Sequence, residues 1–488
     1  MTSGAEQDPA RLDIRIDEAC RLHACAPAVS DEHTTLDYAT MAEQSSQLTE
    51  EAQKSSLQPN EPVIVALSNH ASDFTALFAV WKAGGVAVPV HRRSSAATVT
   101  DMLSRTGARF AINAHPNEPL AGLGTSLTSI QQLHDTPPPP REILEDAAWI
   151  VFTSGSTGKP KGVVHGHDTY LAKLDAINAA MTQPGSLRVL LPLQLTFAYA
   201  QWVSLTAFLR GGEVIIANPF KPDRFAQKLK QDITATAVVP TMLRQLRPLI
   251  ENKSCDPFAG VLMSGGEPLP AELGLLVRHH WPDALLWDVY GLTETATSDF
   301  YVRPQDYDTA AGTIGRPAPG IDFRIALEDS ELQIRTPFLM RGYLDAPDLT
   351  DMAQCDGYFR TGDQARLRED GTVEITGRLS DIVNRAGNKI APLELERLFA
   401  SHPSIVDALA TGLPDADQGE SLHIAVVPKT GVELEARALR RWAAEKMDRH
   451  KLPDAIHVTD SLPTGATGKA DRKALRAELM SGVSPKET

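Results

Sequence analysis

The chain has 488 residues, 42% of them hydrophobic and 22% charged, which excludes a disordered polymer and is long enough that two or more domains are expected. Its net charge of -15 with no long Lys/Arg run excludes a general nucleic-acid binder, because counterion release at phosphates needs a basic face. Four irregularly spaced cysteines, Cys20, Cys25, Cys255 and Cys355, an acidic start over residues 1–13 and no apolar run of about 18 residues exclude a zinc module, a signal peptide and a spanning helix, and predict a cytoplasmic protein with no membrane partner.

Residues 1 to 60 read as a polar tail, then residues 35–41 leading into a polar helix that ends near Gln53. Residues 62–67 form an apolar strand, residues 73–82 a helix with apolar side chains at helical spacing, and residues 86–90 a second strand after Ala83-Gly84-Gly85. Strand, helix and strand at this spacing imply a parallel βαβ unit, which residues 102–111 repeat around the turn 106–109. Four prolines at 137–140 can join neither a helix nor a sheet interior and read as a stiff surface connection.

Trp149-Ile150-Val151-Phe152 reads as a buried strand. The next ten residues, Thr153-Ser154-Gly155-Ser156-Thr157-Gly158-Lys159-Pro160-Lys161-Gly162, hold four hydroxyls and three glycines. Glycine lets the backbone approach a ligand closely, and the freed N–H groups, hydroxyls and two lysines make a concave donor surface suited to polyphosphate. A flexible linker would not be fixed between a buried strand and the Val163-Val164 pair. The P-loop spacing also fails, because Pro160 stands five positions after Gly155.

A second alternation starts at Arg188, with strands at 189–191, 214–217 and 237–239 and helices at 199–209, 225–230 and 241–250. Strands at 262–267 and 286–294 each run into a polar turn, and such turns at the carboxyl ends of parallel strands line the crevice where α/β folds bind ligands. Residues 311–376 change to short strands with glycine and acidic turns, an antiparallel subdomain. After Gly377-Arg378 enough chain remains for a separate small domain.

The string 153–162 resembles the phosphate loop of the adenylate-forming superfamily, which contains acyl-CoA synthetases, adenylation domains and luciferase. Strings at 264–268, 288–294, 358–363, 377–396 and 463–473 resemble five further motifs of that superfamily in the right order. The resemblance implies an α/β fold: a large N-terminal domain of doubly wound sheets plus a small antiparallel subdomain over residues 1–377, a hinge at 378–380, and a mobile small α+β domain over 381–488. It also implies ATP- and Mg²⁺-dependent activation of a small-molecule acid, with CoA or a phosphopantetheinyl acyl carrier protein as thiol acceptor, in a monomer or homodimer.

Attack of a carboxylate on an α-phosphate must be offset by fixed electrostatics on both the incoming anion and the leaving pyrophosphate. By resemblance, Thr153, Ser154, Gly155, Ser156, Thr157 and Lys161 hold phosphates, Thr293 contacts phosphate, and Glu294 is the Mg²⁺-associated carboxylate. Gly266-Glu267-Pro268 forms the adenine-side turn, Asp288 reads the adenine amino group, Tyr290 stacks on the base and Gly291 follows it. Asp363 matches the ribose-binding carboxylate, which can accept from both hydroxyls, and Arg378 contacts ribose or phosphate. Lys469 matches the lysine that bridges the carboxylate and the α-phosphate. The competing readings are a surface carboxylate for Glu294 and a solvated tail residue for Lys469.

The hinge aligns with Ser380, where relatives commonly carry a charged residue, and Gly387 with the loop over which the pantetheine thiol enters. The acyl pocket aligns with Phe197, Ala198, Tyr199 and Gly265. Ala198 stands where α-amino acid adenylation domains carry an aspartate, so a substrate ammonium would be left unpaired at a cost of several kcal/mol if buried. Phe197-Ala198-Tyr199 resembles the segment of benzoate-type CoA ligases, pointing to an aryl or aryl-acrylic acid; these residues also fit core aromatics at helical spacing. Activation of nitrite for diazotisation of an aryl amine, a non-catalytic nucleotide-binding scaffold and the luciferase-type oxygenase branch remain alternatives.

Overall fold

The computed structural model describes residues 11–113, 120, 130–153, 160–181, 187–465 and 469–482. A seven-stranded sheet runs in the order Gly342–Tyr343, Lys161–Gly166, Ala147–Thr153, Val86–His91, Pro62–Leu67, Phe110–Ile112, Ile130–Gln132. Its centre is parallel, with Pro62 opposite Val86 and Leu67 opposite His91. A nine-stranded sheet is built around the parallel strands Leu285–Tyr290, Val261–Gly265, Ala235–Val238, Arg188–Leu191 and Glu213–Ile216. These strands are almost wholly apolar because both faces are covered.

The two sheets share one hydrophobic core. Two helices without a polar face, Asp73–Lys82 and Ala198–Phe208, fill it; a helix apolar all round has no side to give to water and is buried on every side. Phe208 packs edge-on against Phe74 and Phe78, with ring centroids 4.8 and 5.8 Å away. Tyr38 closes this cluster with its hydroxyl, which donates to the Gly212 carbonyl at 2.8 Å.

A five-stranded antiparallel sheet, containing Asp322–Ile325, Glu331–Arg335, Tyr358–Leu367 and Val373–Arg378, follows. The last part of the chain forms another five-stranded sheet, led by the long hairpin Ile405–Asp415 and Gly419–Pro428, with its own core of Leu395, Phe399, Leu422, Ile424 and Leu439. The expected α/β architecture with a smaller α+β unit behind it is therefore present.

Three sequence expectations need correction. The polar start contains a helix, Leu12–Leu22, whose Leu12, Ile16, Ala19 and Cys20 are buried; four small or aliphatic residues on one face suffice against a large core, and the acidic remainder hid them. The helices His167–Ala180 and Ala271–His280 were not anticipated either. Residues 311–376 are not wholly self-contained: Gly342–Tyr343 pairs with Lys161–Gly166 in the first large sheet, and Arg316–Pro317 pairs with Phe300–Val302 in the second.

Truncating Phe208 empties the space between three aromatic rings. Phe208→Ala is expected to lower the unfolding free energy by about 3–5 kcal/mol, read by urea denaturation monitored with tryptophan fluorescence.

Candidate active site

The phosphate-loop string leaves the strand Ala147–Thr153 and returns along Lys161–Gly166, with Thr153 opposite Lys161. Ser154, Gly155, Ser156 and Thr157 lie outside the described residues. The ends of the string are joined to the 288–294 motif by one chain of contacts. Lys161 Nζ sits 4.7 Å above the Tyr343 ring, and the Tyr343 hydroxyl donates to Glu294 Oε1 at 2.9 Å. Burial, reinforced by Glu294, pushes the Tyr343 phenol up, so it stays a donor. Glu294 is thus no loose surface carboxylate: it lies on the short turn Thr293–Thr295, and its own carbonyl accepts from Met340 N at 2.7 Å. His165 Nε2 lies 2.6 Å from the Thr293 carbonyl. Burial pushes this imidazole down to about 4, so it is neutral near pH 7 and donates from Nε2 to that carbonyl.

The loop behind this turn is under backbone strain. Ala296, Thr297 and Ser298 all take left-handed φ values of 55°, 66° and 54°, a conformation costing non-glycine residues about 1–2 kcal/mol each. Gly291 is required here, because a Cβ on it would stand 2.2 Å from Ser298 N. Asp299 ends the loop, and its Oδ1 pairs with Lys173 Nζ at 2.9 Å, with side-chain exposures of 0% and 2%. The Thr295 hydroxyl donates to Asp299 Oδ2. Burial pushes the Asp299 carboxyl up and the Lys173 ammonium down, and each charge opposes the shift of the other.

On the neighbouring side, the Tyr290 hydroxyl donates to Asp363 Oδ2 at 2.7 Å, while Arg378 Nε lies 3.0 Å from Asp363 Oδ1. Asp363 and Arg378 are direct partners across the antiparallel ladder. Burial pushes the Tyr290 phenol up, as does Asp363. The Tyr290 ring is held edge-on by Phe300, centroids 6.0 Å apart. Asp288, two residues earlier on the strand, is buried, and that burial pushes its carboxyl well up.

Gly265 and Gly266 end the strand Val261–Gly265. A Cβ on Gly265 would meet the Val289 carbonyl at 2.9 Å and the Tyr199 ring at 3.5 Å. Tyr199 stacks on Trp202 at 5.6 Å with planes 25° apart. Ala198 is buried beside it, and Phe197 precedes the first turn of the helix. Gly266 has φ 87°, and its Cβ position would lie 3.2 Å from Lys469 Nζ. Lys469, some two hundred residues away in sequence, is therefore brought to the predicted adenine-side turn. Burial pushes its ammonium down and Glu267 opposes this. Glu267 accepts from the Thr241 hydroxyl at 2.8 Å and pairs with Arg244 at 3.4 Å, while Pro268 is exposed.

Ser380 is exposed on the short turn Leu379–Asp381, and its hydroxyl donates to Asp381 at 3.0 Å. Gly387 stands at the tip of the hairpin Val383–Arg385 and Asn388–Ile390 with φ 81°, and a Cβ there would meet nothing within 4 Å. Among the described residues no cluster of three His, Cys, Asp or Glu side chains could hold a metal ion. Glu294 nevertheless fits Mg²⁺, which takes one or two carboxylates and completes its shell with substrate phosphates and water. Sequence reasoning missed His165, Lys173, Asp299 and Tyr343. Only the polar His165 and Lys173 between apolar neighbours carried a usable signal.

Residues 16–344 match the AMP-binding enzyme family and residues 394–469 the AMP-binding enzyme C-terminal domain. The chain belongs to this adenylate-forming family and is an AMP-forming ligase of the acyl-CoA synthetase kind. It is 28% identical over 469 residues to feruloyl-CoA synthase of Amycolatopsis sp, covering 92% of this chain and 95% of that protein. It is 29% identical over 487 residues to the fatty acid–[acyl-carrier-protein] ligase ScoC of Streptomyces coeruleorubidus, covering 92% and 93%. The fold superposes on ATP-bound MatB from Rhodopseudomonas palustris with a TM-score of 0.83 at 20% identity, over 97% of this chain and 100% of that one. No helix among the described residues is long and apolar enough to cross a membrane.

Lys173→Met leaves Asp299 buried without its counter-charge. The unfolding free energy is expected to fall by about 3–5 kcal/mol, measured by guanidinium denaturation. Removing both charges, with Asp299→Leu added, should recover part of that loss.

Proposed function

We propose that the protein adenylates an aryl or aryl-acrylic acid with ATP and Mg²⁺, releases pyrophosphate, and passes the acyl group to the thiol of CoA or of a carrier protein. The observation that carries this reading is the approach of Lys469 to the Gly266 turn, in a molecule whose 288–294 motif also holds Tyr290 against Asp363 and Glu294 against Tyr343.

In this reading the large domain covers residues 1–377, the hinge 378–380 and the small domain 381–488. The acid's carboxylate oxygen bonds to the α-phosphorus, and the bond from that phosphorus to the pyrophosphate oxygen breaks. Lys469 holds the two reacting anions together, and its ammonium offsets their repulsion. Thr153, Lys161 and Thr293 hold the phosphates, with Ser154, Gly155, Ser156 and Thr157 completing the loop. Glu294, oriented by Tyr343, would hold Mg²⁺, which neutralises the departing pyrophosphate charge. Asp363 uses one lone pair on each oxygen for Tyr290 and Arg378 and keeps others for ribose hydroxyls. Asp288 and the Gly266-Glu267-Pro268 turn receive adenine beside Tyr290. The thiol then attacks the acyl carbonyl by way of the Gly387 hairpin, and AMP leaves; Ser380 takes up the rotation between the two steps.

The aryl preference rests on the Tyr199 ring, which stacks on the buried Trp202 and lies against Gly265, so that an aromatic side chain borders the residues aligned with the acyl pocket. Ala198 supplies no charge to hold a substrate ammonium. The resemblance to feruloyl-CoA synthase runs the same way.

The test is pyrophosphate release across aryl, cinnamic-type and fatty acids, with and without CoA, and with nitrite plus an aminoaryl acid. Release with an aryl or aryl-acrylic acid, and a thioester mass on adding CoA, is the expected result; release only with a fatty acid, or only with nitrite, overturns the substrate assignment. Lys469→Ala is expected to abolish adenylate formation while ATP affinity, measured by calorimetry, stays within about twofold. Undiminished turnover in that variant removes Lys469 from the mechanism.

A further inference from the structure

Lys469 can act only while the C-terminal unit is held against the large domain, and one contact that holds it there is not part of any motif. Arg244 lies on the helix Pro240–Glu251 of the large domain. Its Nη1 is 3.1 Å from the Thr241 hydroxyl and 3.4 Å from Glu267 Oε2. Its Nε is 3.4 Å from Oδ1 of Asp407, which lies on the strand Ile405–Asp415 of the C-terminal sheet. The two side chains are only 16% and 20% exposed, so solvent and salt screen them far less than a surface pair.

The strand that carries Asp407 is firmly joined to the segment that carries Lys469. Arg472, three residues after Lys469, bonds to Glu396 and to the Ala410 carbonyl of that strand, and its Nε lies 3.1 Å from Asp381. Leu475 on the following helix packs against Leu409 and Ala425. Lys469 and Asp407 therefore move as one body. Lys469 reaches Gly266, and Asp407 reaches, through Arg244, the adjacent Glu267. A second crossing contact, Arg397 Nη1 to Glu374 Oε1 at 2.7 Å, lies nearer the expected hinge. Two contacts at separate points fix an orientation that a single pivot cannot.

We propose that the Arg244–Asp407 ion pair is a positioning device for the first half-reaction: it holds the C-terminal domain with Lys469 at the Gly266 turn, and it breaks when that domain turns for thiol transfer. The inference rests on the ligase reading above. It makes Asp407 a residue whose removal slows one half-reaction and spares the other.

The experiment measures both half-reactions by rapid quench, using the acid that gives pyrophosphate release with the wild type. Asp407→Asn is expected to slow adenylate formation at least about tenfold, as misplaced reacting groups do. Thioester formation from supplied acyl-adenylate and pantetheine, the thiol arm common to CoA and carrier proteins, should be as fast as in the wild type or faster. Asp407→Glu, which keeps the charge, should restore most of the adenylation rate. Equal slowing of both steps, or unaltered adenylation, overturns the proposal. If Asp407→Asn does not fold, Arg244→Lys serves instead, since it keeps a charge for Glu267 and loses the Nε that faces Asp407. A wild type silent with every acid overturns the ligase reading, whereas an active wild type matched by Asp407→Asn overturns the latch alone.

Discussion

The buried pair of Lys173 and Asp299 is the constraint on which the site depends. Lys173 lies on the helix that follows the phosphate-loop hairpin, and Asp299 closes the loop that begins with Thr293 and Glu294. Their contact ties two separate motifs into one rigid unit. Three consecutive left-handed residues precede Asp299, and at about 1–2 kcal/mol each their conformational cost is comparable with the cost of separating the buried charges. The strained loop therefore persists because the alternative, an unpaired charge in the core, is no cheaper.

The same logic recurs at smaller scale, with phenols orienting carboxylates. Tyr343 holds Glu294, and Tyr290 holds Asp363. In each case burial keeps the phenol protonated, so it can only donate, and a carboxylate oxygen that has accepted one such bond still has a lone pair to offer. Each carboxylate is aimed before any ligand arrives, and side-chain entropy that would be lost on binding has been lost on folding.

Much of this was legible in the sequence. The strands Pro62–Leu67 and Val86–His91 and the helices Asp73–Lys82 and Ala198–Phe208 sit within a residue or so of where periodicity puts them, because runs buried on both faces carry an unmistakable apolar pattern. The helix Leu12–Leu22 was hidden because one apolar stripe among acidic residues resembles a tail. The motifs also gave a candidate set of site residues, yet they could not say what supports them. Tyr343 reaches Glu294 across 49 positions and Lys173 reaches Asp299 across 126, and no local spacing records a pairing at such distance. Arg244 is hidden for another reason: on an amphipathic helix an arginine reads as a solvated residue until a second unit is laid against it.

The helix Ala198–Phe208 has a consequence for how acid preference can change. Its N-cap Phe197 and first-turn Tyr199 border the proposed acyl pocket, while Trp202, Val203, Leu205 and Phe208 are fixed in the core shared by both large sheets. Tyr199 touches both regions, because it lies against Gly265 on one side and stacks on Trp202 on the other. If the proposed pocket holds the acid, specificity is adjustable over roughly one helical turn, and any attempt to deepen the pocket further along the helix draws directly on the stability of the core shared by both large sheets. Exchanging the half-buried Phe197 meets no such penalty, whereas Gly265 leaves no room for a Cβ beside the Val289 carbonyl, so a laboratory search for new acids would find its tolerated substitutions at Phe197 and not at Gly265.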